Sequence, residues 1–255
     1  MVPRVPLDAS VLVMEYVCLA AGHGSRFGEL GRYLQKCMYP VGLQPFLEHT
    51  LLQWLEGVAA NPRHDRLTLV VGHFEEQLRG YFGDAFEGVP LRYVAQGALR
   101  GTGHAVGVGV DDLRAHGDAA VVVWLADLFV PAEAFRALLA HPAAAVAAQA
   151  LGDADESPRL RATRVGERVT CVWDGSGPWL DAGLWRLPLP VARDLRRVRA
   201  EKGEYRVLPN LQRHVDEGLE LGWITLSEWL HLGGVHPTPE SNVRHVVRRL
   251  WERRP

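Results

Sequence analysis

The sequence predicts an α/β fold, a mostly parallel sheet with helices on both faces, on three observations. Apolar runs of strand length alternate with segments of helical period from Met14 to Asp127, the order that builds a parallel sheet with crossover helices. The run AAVVVWL (119–125) is apolar throughout, and LTLVV (67–71) is so apart from Thr68, the near-continuously apolar pattern of strands buried on both faces. A glycine-rich turn follows the first run, where such sheets bind ligands at the carboxyl ends of their strands.

Residues 1–13 carry prolines and little periodicity and are expected to be a disordered N-terminal extension. Residues 14–255 are expected to form one domain, since no long polar linker or internal repeat divides them. Met14–Ala20 reads as a buried strand. Pro45–Ala59 places Phe46, Leu47, Leu51, Trp54, Leu55 and Val58 near a 3.6-residue period and reads as a helix. Strands at Leu67–Val71, Pro90–Ala95 and Ala119–Leu125 then alternate with helices at Phe74–Phe82 and Gly103–Leu113. The pattern changes after residue 142. Ala144–Leu151 reads as a strand, RATRVGERVTCVW as a hairpin, DAGLWRL as a further strand, and Val191–Arg199 and Tyr205–Glu217 as helices. Thr238 can cap a last helix with Pro239 in its first turn and a stripe of Val243, Val246, Val247, Leu250 and Trp251.

Composition excludes several function classes. A formal charge of −2 over 255 residues gives no electrostatic footprint for nucleic acid, and the Arg-rich tail RRLWERRP reads as a solvated helix face. No membrane partner is expected: AAVVVWLADLFV is interrupted by Asp127 and too short to span a bilayer. Pro3, Pro6 and Asp8 break up any secretory signal. Cys18, Cys37 and Cys171 lack C-x-x-C spacing, which points to a reducing, cytoplasmic setting. Lys36 and Lys202 are the only lysines among 28 basic residues, so a lysine marks a position where arginine does not serve.

The glycine turn is LAAGHGSRFGELGRYLQKCMYPV, Leu19 to Val41. It matches neither the dinucleotide G-x-G-x-x-G fingerprint, since Phe27 stands at the third position, nor the P-loop, since no Gly-Lys pair occurs in it. Its glycines permit close approach of main-chain N–H groups to phosphate oxygens. Arg26 offers a bidentate fork for β/γ-phosphates and Lys36 a compact charge for an α-phosphate.

LAAGHGSR…QKCMYPVGLQPFLEHTL resembles the opening of the sugar-phosphate nucleotidylyltransferases, usually L-A-A-G-x-G-[ST]-R…P-K-x-[LM]-x-P-[VI]-x-x-x-P-[LM]. YVAQGALRGTGHAVGVGV resembles their Y-x-x-Q…G-T-[AG]-x-A segment, and VVVWLADLFV their strand ending in G-D. The resemblance implies a Rossmann-like fold of the nucleotide-diphospho-sugar transferase type, with an appended smaller β/α portion for the acceptor. It implies nucleotide binding by Leu19, Ala21, Gly22, Gly24, Ser25, Arg26 and Lys36, with Gln96, Gly101 and Thr102 reading the base. Arg26, Lys36 and Asp127 would be catalytic. The implied partners are a nucleoside triphosphate and a phosphorylated small-molecule acceptor.

Two places depart from that pattern. The family's second metal ligand lies in W-x-D-[IVT]-G-T-P-E, where this chain reads WLHLGGVHPTPE with His231 at the aspartate position. Asp127 and His231 are thus the expected ligands of a divalent metal, Mg²⁺ by resemblance, or Mn²⁺, Co²⁺ or Zn²⁺ because imidazole favours softer ions. The family's acceptor-binding E-K-P stretch is replaced by WDGSG, Trp173 to Gly177, without a cation. Gly183 is expected to approach the acceptor, Asp181 to bond its hydroxyls, and Arg186 to supply the missing charge. Trp173, Trp179, Trp185, Trp223 and Trp229 read as core and hairpin packing, or as an aromatic wall for a sugar or a quaternary ammonium group. The expected reaction is transfer of NMP from an NTP to a sugar 1-phosphate. CMP transfer to phosphocholine or another non-sugar phosphate, and a non-catalytic nucleotide-binding relative, are the alternatives.

Overall fold

The computed structural model describes residues 14–61, 65–111, 113, 119–150, 161–173, 175–199, 203–233 and 238–253. Ser25, Arg26, Ala148, Gln149, Ala150 and Pro239 are described in their main chain alone. The expected extension, residues 1–13, lies outside the described residues.

In chain order, β1 (Met14–Ala20) leads through a 3₁₀ stretch (Ser25–Arg32) and a 3₁₀ turn (Lys36–Met38) to the small hairpin β2 (Pro40–Val41) and β3 (Gln44–Pro45), then α1 (Phe46–Val58). Next come β4 (Leu67–Val71), α2 (Glu75–Phe82), β5 (Ala85–Phe86), β6 (Val89–Ala95), α3 (Thr102–Asp111), β7 (Ala120–Leu125), β8 (Leu128–Phe129) and α4 (Ala132–Ala140). The second half holds β9 (Ala144–Ala150), β10 (Arg161–Val165), β11 (Arg168–Cys171), β12 (Trp179–Pro188), α5 (Leu189–Asp194), α6 (Val207–Asp216), β13 (Leu221–Thr225), β14 (Leu230–His231) and α7 (Pro239–Glu252).

Strands β6, β4, β1 and β7 lie side by side and parallel, the third–second–first–fourth order of doubly wound folds. The antiparallel strand β12 pairs with β7 along its second half and with β10 at its start. Beyond it, β9 runs antiparallel to β12 and β13 parallel to β9. The central sheet is therefore parallel and the second half mixed.

Two core layers cover the sheet. One face packs Trp54 and Leu51 of α1 and Phe135 of α4 on Trp124 and Leu69. The other packs Val106 of α3 and Leu211 of α6 on Val17 and Val123. A third cluster joins Phe27, Val41, Phe46, Phe129, Leu230, Val246 and Leu250. It fastens α7 and the β8–β14 pair to the segment after the glycine turn. The terminal helix begins with a reciprocal cap, Thr238 Oγ1 accepting from Ser241 N at 3.2 Å and Ser241 Oγ from Thr238 N at 3.3 Å.

Several elements differ from expectation. β13, α4 and β14 lie outside the expected elements: β13 is five residues, four of them buried, and β14 is two. The helix expected at Val191–Arg199 starts earlier and stops at Asp194, because Pro188 caps it and a proline lies in its first turn. The tryptophans pack. Trp179 and Trp223 meet edge-on at 4.2 Å, and the Arg164 guanidinium lies 3.4 Å from the Trp223 ring centre. That aromatic face carries the chain's own cation.

Gly57 sits inside α1 where α4 crosses it, and a Cβ there would lie 2.6 Å from Ala132 O and 2.7 Å from Phe135 Cβ. Helix propensity alone favours alanine by about 1 kcal/mol. Overpacking dominates at this distance, so Gly57→Ala is expected to lower the unfolding free energy by about 1–3 kcal/mol in urea titrations. A stabilised variant would contradict the close crossing.

Candidate active site

The site is built where β1 and β7 end. Ala126 N donates to Leu19 O at 3.0 Å and His73 N to Ala21 O at 3.1 Å, so the turns leaving β1, β4 and β7 are held edge to edge. Leu19 and Ala21 are themselves buried. Gly24 adopts a left-handed conformation, φ 64° and ψ 32°, at the start of the 3₁₀ stretch. A side chain at Gly22 would meet nothing within 4 Å, and one at Gly24 would lie 3.4 Å from Lys36 Cβ. Arg26 and Ser25 open that stretch, and their side chains lie outside what is described.

Gln35, which stands where the resembled motif has proline, is a structural residue that sequence reasoning missed. Its Nε2 donates to Ala20 O at 2.7 Å and Gly22 O at 3.2 Å. Its Oε1 accepts from Cys37 N at 3.1 Å, and its main-chain N donates to Gln77 Oε1 at 2.8 Å. This buried amide ties the glycine turn to the turn that carries Lys36.

Lys36, Asp127 and His231 meet at one atom. Asp127 Oδ2 accepts from Lys36 Nζ and lies 3.0 Å from His231 Nε2. Facing a carboxylate, that nitrogen is the N–H donor. His231 arrives because β14 pairs with β8, which starts directly after Asp127, with His231 opposite Leu128. Leu232 N donates to Asp127 O at 2.9 Å. From α7, the buried Asn242 amide donates to His231 O at 2.7 Å and Leu232 O at 2.9 Å. Gly233 closes the cluster: a Cβ there would lie 2.9 Å from Lys36 Nζ, 2.9 Å from His231 Nε2 and 3.1 Å from Asp127 Oδ2. Gln35, Gly233 and Asn242 had signals only in hindsight, a glutamine replacing a motif proline and a Gly-Gly pair after His231.

Burial works to raise the Asp127 carboxyl, but the Lys36 ammonium and His231 outweigh it and hold the group well below the usual carboxylate range. The neighbouring thiols behave oppositely. Burial pushes Cys37 up to about 12 and Cys18 well above its ordinary value, so both are inert core residues. Among the described residues no three His, Cys, Asp or Glu side chains gather to hold a metal. Asp127 and His231, a carboxylate oxygen and an imidazole nitrogen side by side, are the two side chains here that would hold a divalent cation.

A cleft of about 440 Å³ opens beside the glycine turn, at the ends of β4 and β6, lined by His23, Gly72, His73, Glu75, Ala95, Gly97 and Leu99. The volume suits a small ligand. Gln96, buried at the end of β6, donates Nε2 to Gly101 O at 3.0 Å and faces His104 Nδ1 at 3.2 Å. The close approach expected at Gly101 is made within the chain: φ is 98°, and a Cβ would lie 2.5 Å from Tyr205 O. Thr102 Oγ1 accepts from Val207 N at 3.2 Å, joining the Gly-Thr turn to α6.

The three residues expected to meet the acceptor, Asp181, Gly183 and Arg186, are engaged within the chain. Arg186 stands opposite Val122, deep in the sheet, and its guanidinium donates to the carbonyls of His141 and Ala143. It anchors the start of β9 and does not reach the cluster. Asp181 is buried, with Oδ2 accepting from Gly183 N at 3.1 Å and Oδ1 from Trp185 Nε1 at 2.8 Å. Both oxygens serve a bulge between Asp181 and Trp185. That bulge holds Gly183 at φ 77°, where a Cβ would lie 2.8 Å from Leu128 Cδ1 and 2.9 Å from Leu125 Cδ1.

Burial lifts the Asp181 carboxyl to about 7, against the lowering effect of its two hydrogen bonds. The folded protein therefore keeps a proton that the unfolded chain releases near pH 4. Stability from this group is full below about pH 4 and is lost as pH rises toward 7, by up to about 1.4 kcal/mol per pH unit. Urea titrations across this window are expected to show the loss in the wild type and a flatter profile in Asp181→Asn. Parallel profiles would contradict a neutral buried carboxyl.

Comparison with known proteins agrees with this arrangement. CMP-5'-(3-aminopropyl)phosphonate synthase of Streptomyces rubellomurinus is 40% identical over 78 residues, 31% of this chain and 12% of that protein. UTP–glucose-1-phosphate uridylyltransferase AglF of Haloferax volcanii is 33% identical over 93 residues, 36% of each. The matches thus cover well under half the length of these curated relatives. A UDP-glucose pyrophosphorylase solved with UDP-glucose superposes with a TM-score of 0.76 over 95% of this chain and 100% of that one, at 16% identity, which shows the shared fold. Residues 16–215 match the MobA-like NTP transferase domain, and the chain belongs to that family.

Proposed function

We propose that the protein transfers a nucleoside monophosphate from an NTP to a sugar 1-phosphate, releasing pyrophosphate and forming an NDP-sugar. The observation that carries this reading is the convergence of Lys36 and His231 on one oxygen of Asp127, beside a glycine turn at the ends of β1 and β7. Family membership over residues 16–215 supports it.

In this reading the acceptor phosphate oxygen attacks the α-phosphorus in line. The new P–O bond forms as the bond to the β-phosphate oxygen breaks, and pyrophosphate leaves. The acceptor is already ionised, so the protein's work is positioning and charge neutralisation. The glycine turn receives the phosphates through its main chain, with Arg26 on the β- and γ-phosphates. Lys36 neutralises the α-phosphoryl oxygens, and the side chain of Gln96, with Gly101 and Thr102, reads the base. Asp127 and His231 would hold a divalent cation, which supplies positive charge to the phosphates when bound. His231 then presents Nε2 as a lone pair and carries its proton on Nδ1.

A second reading, CMP transfer to a non-sugar phosphate or phosphonate, is supported by two facts. Arg186 is committed to main-chain carbonyls, which leaves the acceptor phosphate without that cation. The Streptomyces relative is named for a CMP-phosphonate product.

Pyrophosphate release across the common NTPs, with sugar 1-phosphates and phosphocholine, in Mg²⁺, Mn²⁺ and Co²⁺, separates these readings. Turnover with a sugar 1-phosphate is expected, reduced about 100-fold or more in Asp127→Asn. Turnover confined to CTP and a non-sugar acceptor would favour the second reading. Nucleotide-dependent thermal stabilisation without turnover in any metal would leave a binding protein.

A further inference from the structure

We infer that Lys36 competes with the divalent cation for Asp127, the ammonium and the metal occupying the same carboxylate oxygen in turn. The inference rests on the site assignment proposed above and extends it to the order in which cations use that site.

Three observations carry it. Asp127 Oδ2 accepts from Lys36 Nζ and also lies 3.0 Å from His231 Nε2, so a cation bridging Asp127 and His231 lands on the oxygen that Lys36 holds. The three side chains are nearly closed off, with 16%, 12% and 14% exposure for Lys36, Asp127 and His231. A Cβ at Gly233 would lie 2.9 Å from Lys36 Nζ, 2.9 Å from His231 Nε2 and 3.1 Å from Asp127 Oδ2, so the missing side chain leaves beside all three polar atoms a space through which a cation can reach the oxygen that Lys36 holds. In so enclosed a place two cations on one oxygen repel with little screening.

The turn around Lys36 is held through its main chain. Met38 N donates to Gln35 O at 2.8 Å and Tyr39 N to Lys36 O at 3.1 Å, and the Gln35 amide fixes the preceding turn. A lysine stem is long and flexible with a compact charge at its end. Released from Asp127 by an incoming cation, the ammonium stays within the same cleft, where the triphosphate offers it new oxygens. The arrangement keeps Asp127 neutralised at every stage, as a buried carboxylate without a partner is strongly destabilising. It also accounts for a lysine in a chain that writes arginine nearly everywhere else: a planar guanidinium fork would grip both carboxylate oxygens and release them less readily.

The test uses Mn²⁺ alone with the full-length protein and no nucleotide. Mn²⁺ binding, read from the loss of the free-ion paramagnetic resonance signal, is compared between wild type and Lys36→Met. Lys36→Met is expected to bind Mn²⁺ about tenfold more tightly or better, and Mn²⁺ to raise its Tm more than that of the wild type. Asp127→Asn added to Lys36→Met is expected to abolish both gains. Mn²⁺ binding that is equal or weaker in Lys36→Met, or absent from both proteins, overturns the inference. If the Met variant does not fold, Lys36→Gln makes the same comparison. Equal Mn²⁺ affinity in a protein that turns over NTP sinks the competition and leaves the proposed function standing. Tighter Mn²⁺ binding by a protein that never turns over does the reverse.

Discussion

One oxygen atom organises this molecule. Asp127 Oδ2 is buried, and a carboxylate out of water is tolerable only with its charge compensated. Lys36 and His231, separated from it by 91 and 104 residues, provide that compensation. The β1–β7 pairing and the Ala126–Leu19 hydrogen bond bring Lys36's turn alongside Asp127. The β8–β14 ladder and the Asn242 clamp deliver His231. The third core cluster seats these attachments: Phe27, Phe129, Leu230 and Val246 bring together the segment after the glycine turn, the β8–β14 pair and α7.

The second half follows a different logic. Its sheet is mixed, its bulge at Asp181 is held by a carboxyl that burial keeps near neutral, and Arg186 donates to main-chain carbonyls. Trp229 joins the two halves by donating Nε1 to Ala182 O at 2.9 Å while its ring lies 5.5 Å from that of His231. The left-handed backbone at Gly183 and the His231 imidazole are therefore linked through a single indole.

Much of this was legible in the sequence, for identifiable reasons. The four parallel strands announce themselves as short, largely apolar runs between helical segments, and α1 through its helical stripe, because one buried face leaves a periodic mark. Lys36, Asp127 and His231 could be picked out because a strand end, a rare lysine and a Trp-x-His stretch are local features. Residues whose purpose is a distant contact left no such mark. Gln35 looks like an ordinary polar residue until its amide is seen spanning Ala20 and Gly22. Gly101 suggests a base contact, and its own chain at Tyr205 gives a second reason for the glycine that the sequence does not show. Arg186 suggests a charge for a ligand, and only the register shows it opposite Val122 with its guanidinium on the His141 and Ala143 carbonyls. Strand β13 is too short and too uniformly buried to show any alternation.

The central claim is that a triphosphate lies over the turn leaving β1, held by Lys36 and by a cation on Asp127. Anomalous diffraction from crystals grown with Mn²⁺ and a non-hydrolysable NTP analogue tests it most directly. The account predicts a Mn²⁺ peak bonded to Asp127 and His231, with Lys36 Nζ moved from the carboxylate to a phosphate oxygen. A Mn²⁺ peak elsewhere, or a nucleotide bound while Lys36 remains on Asp127, would contradict it.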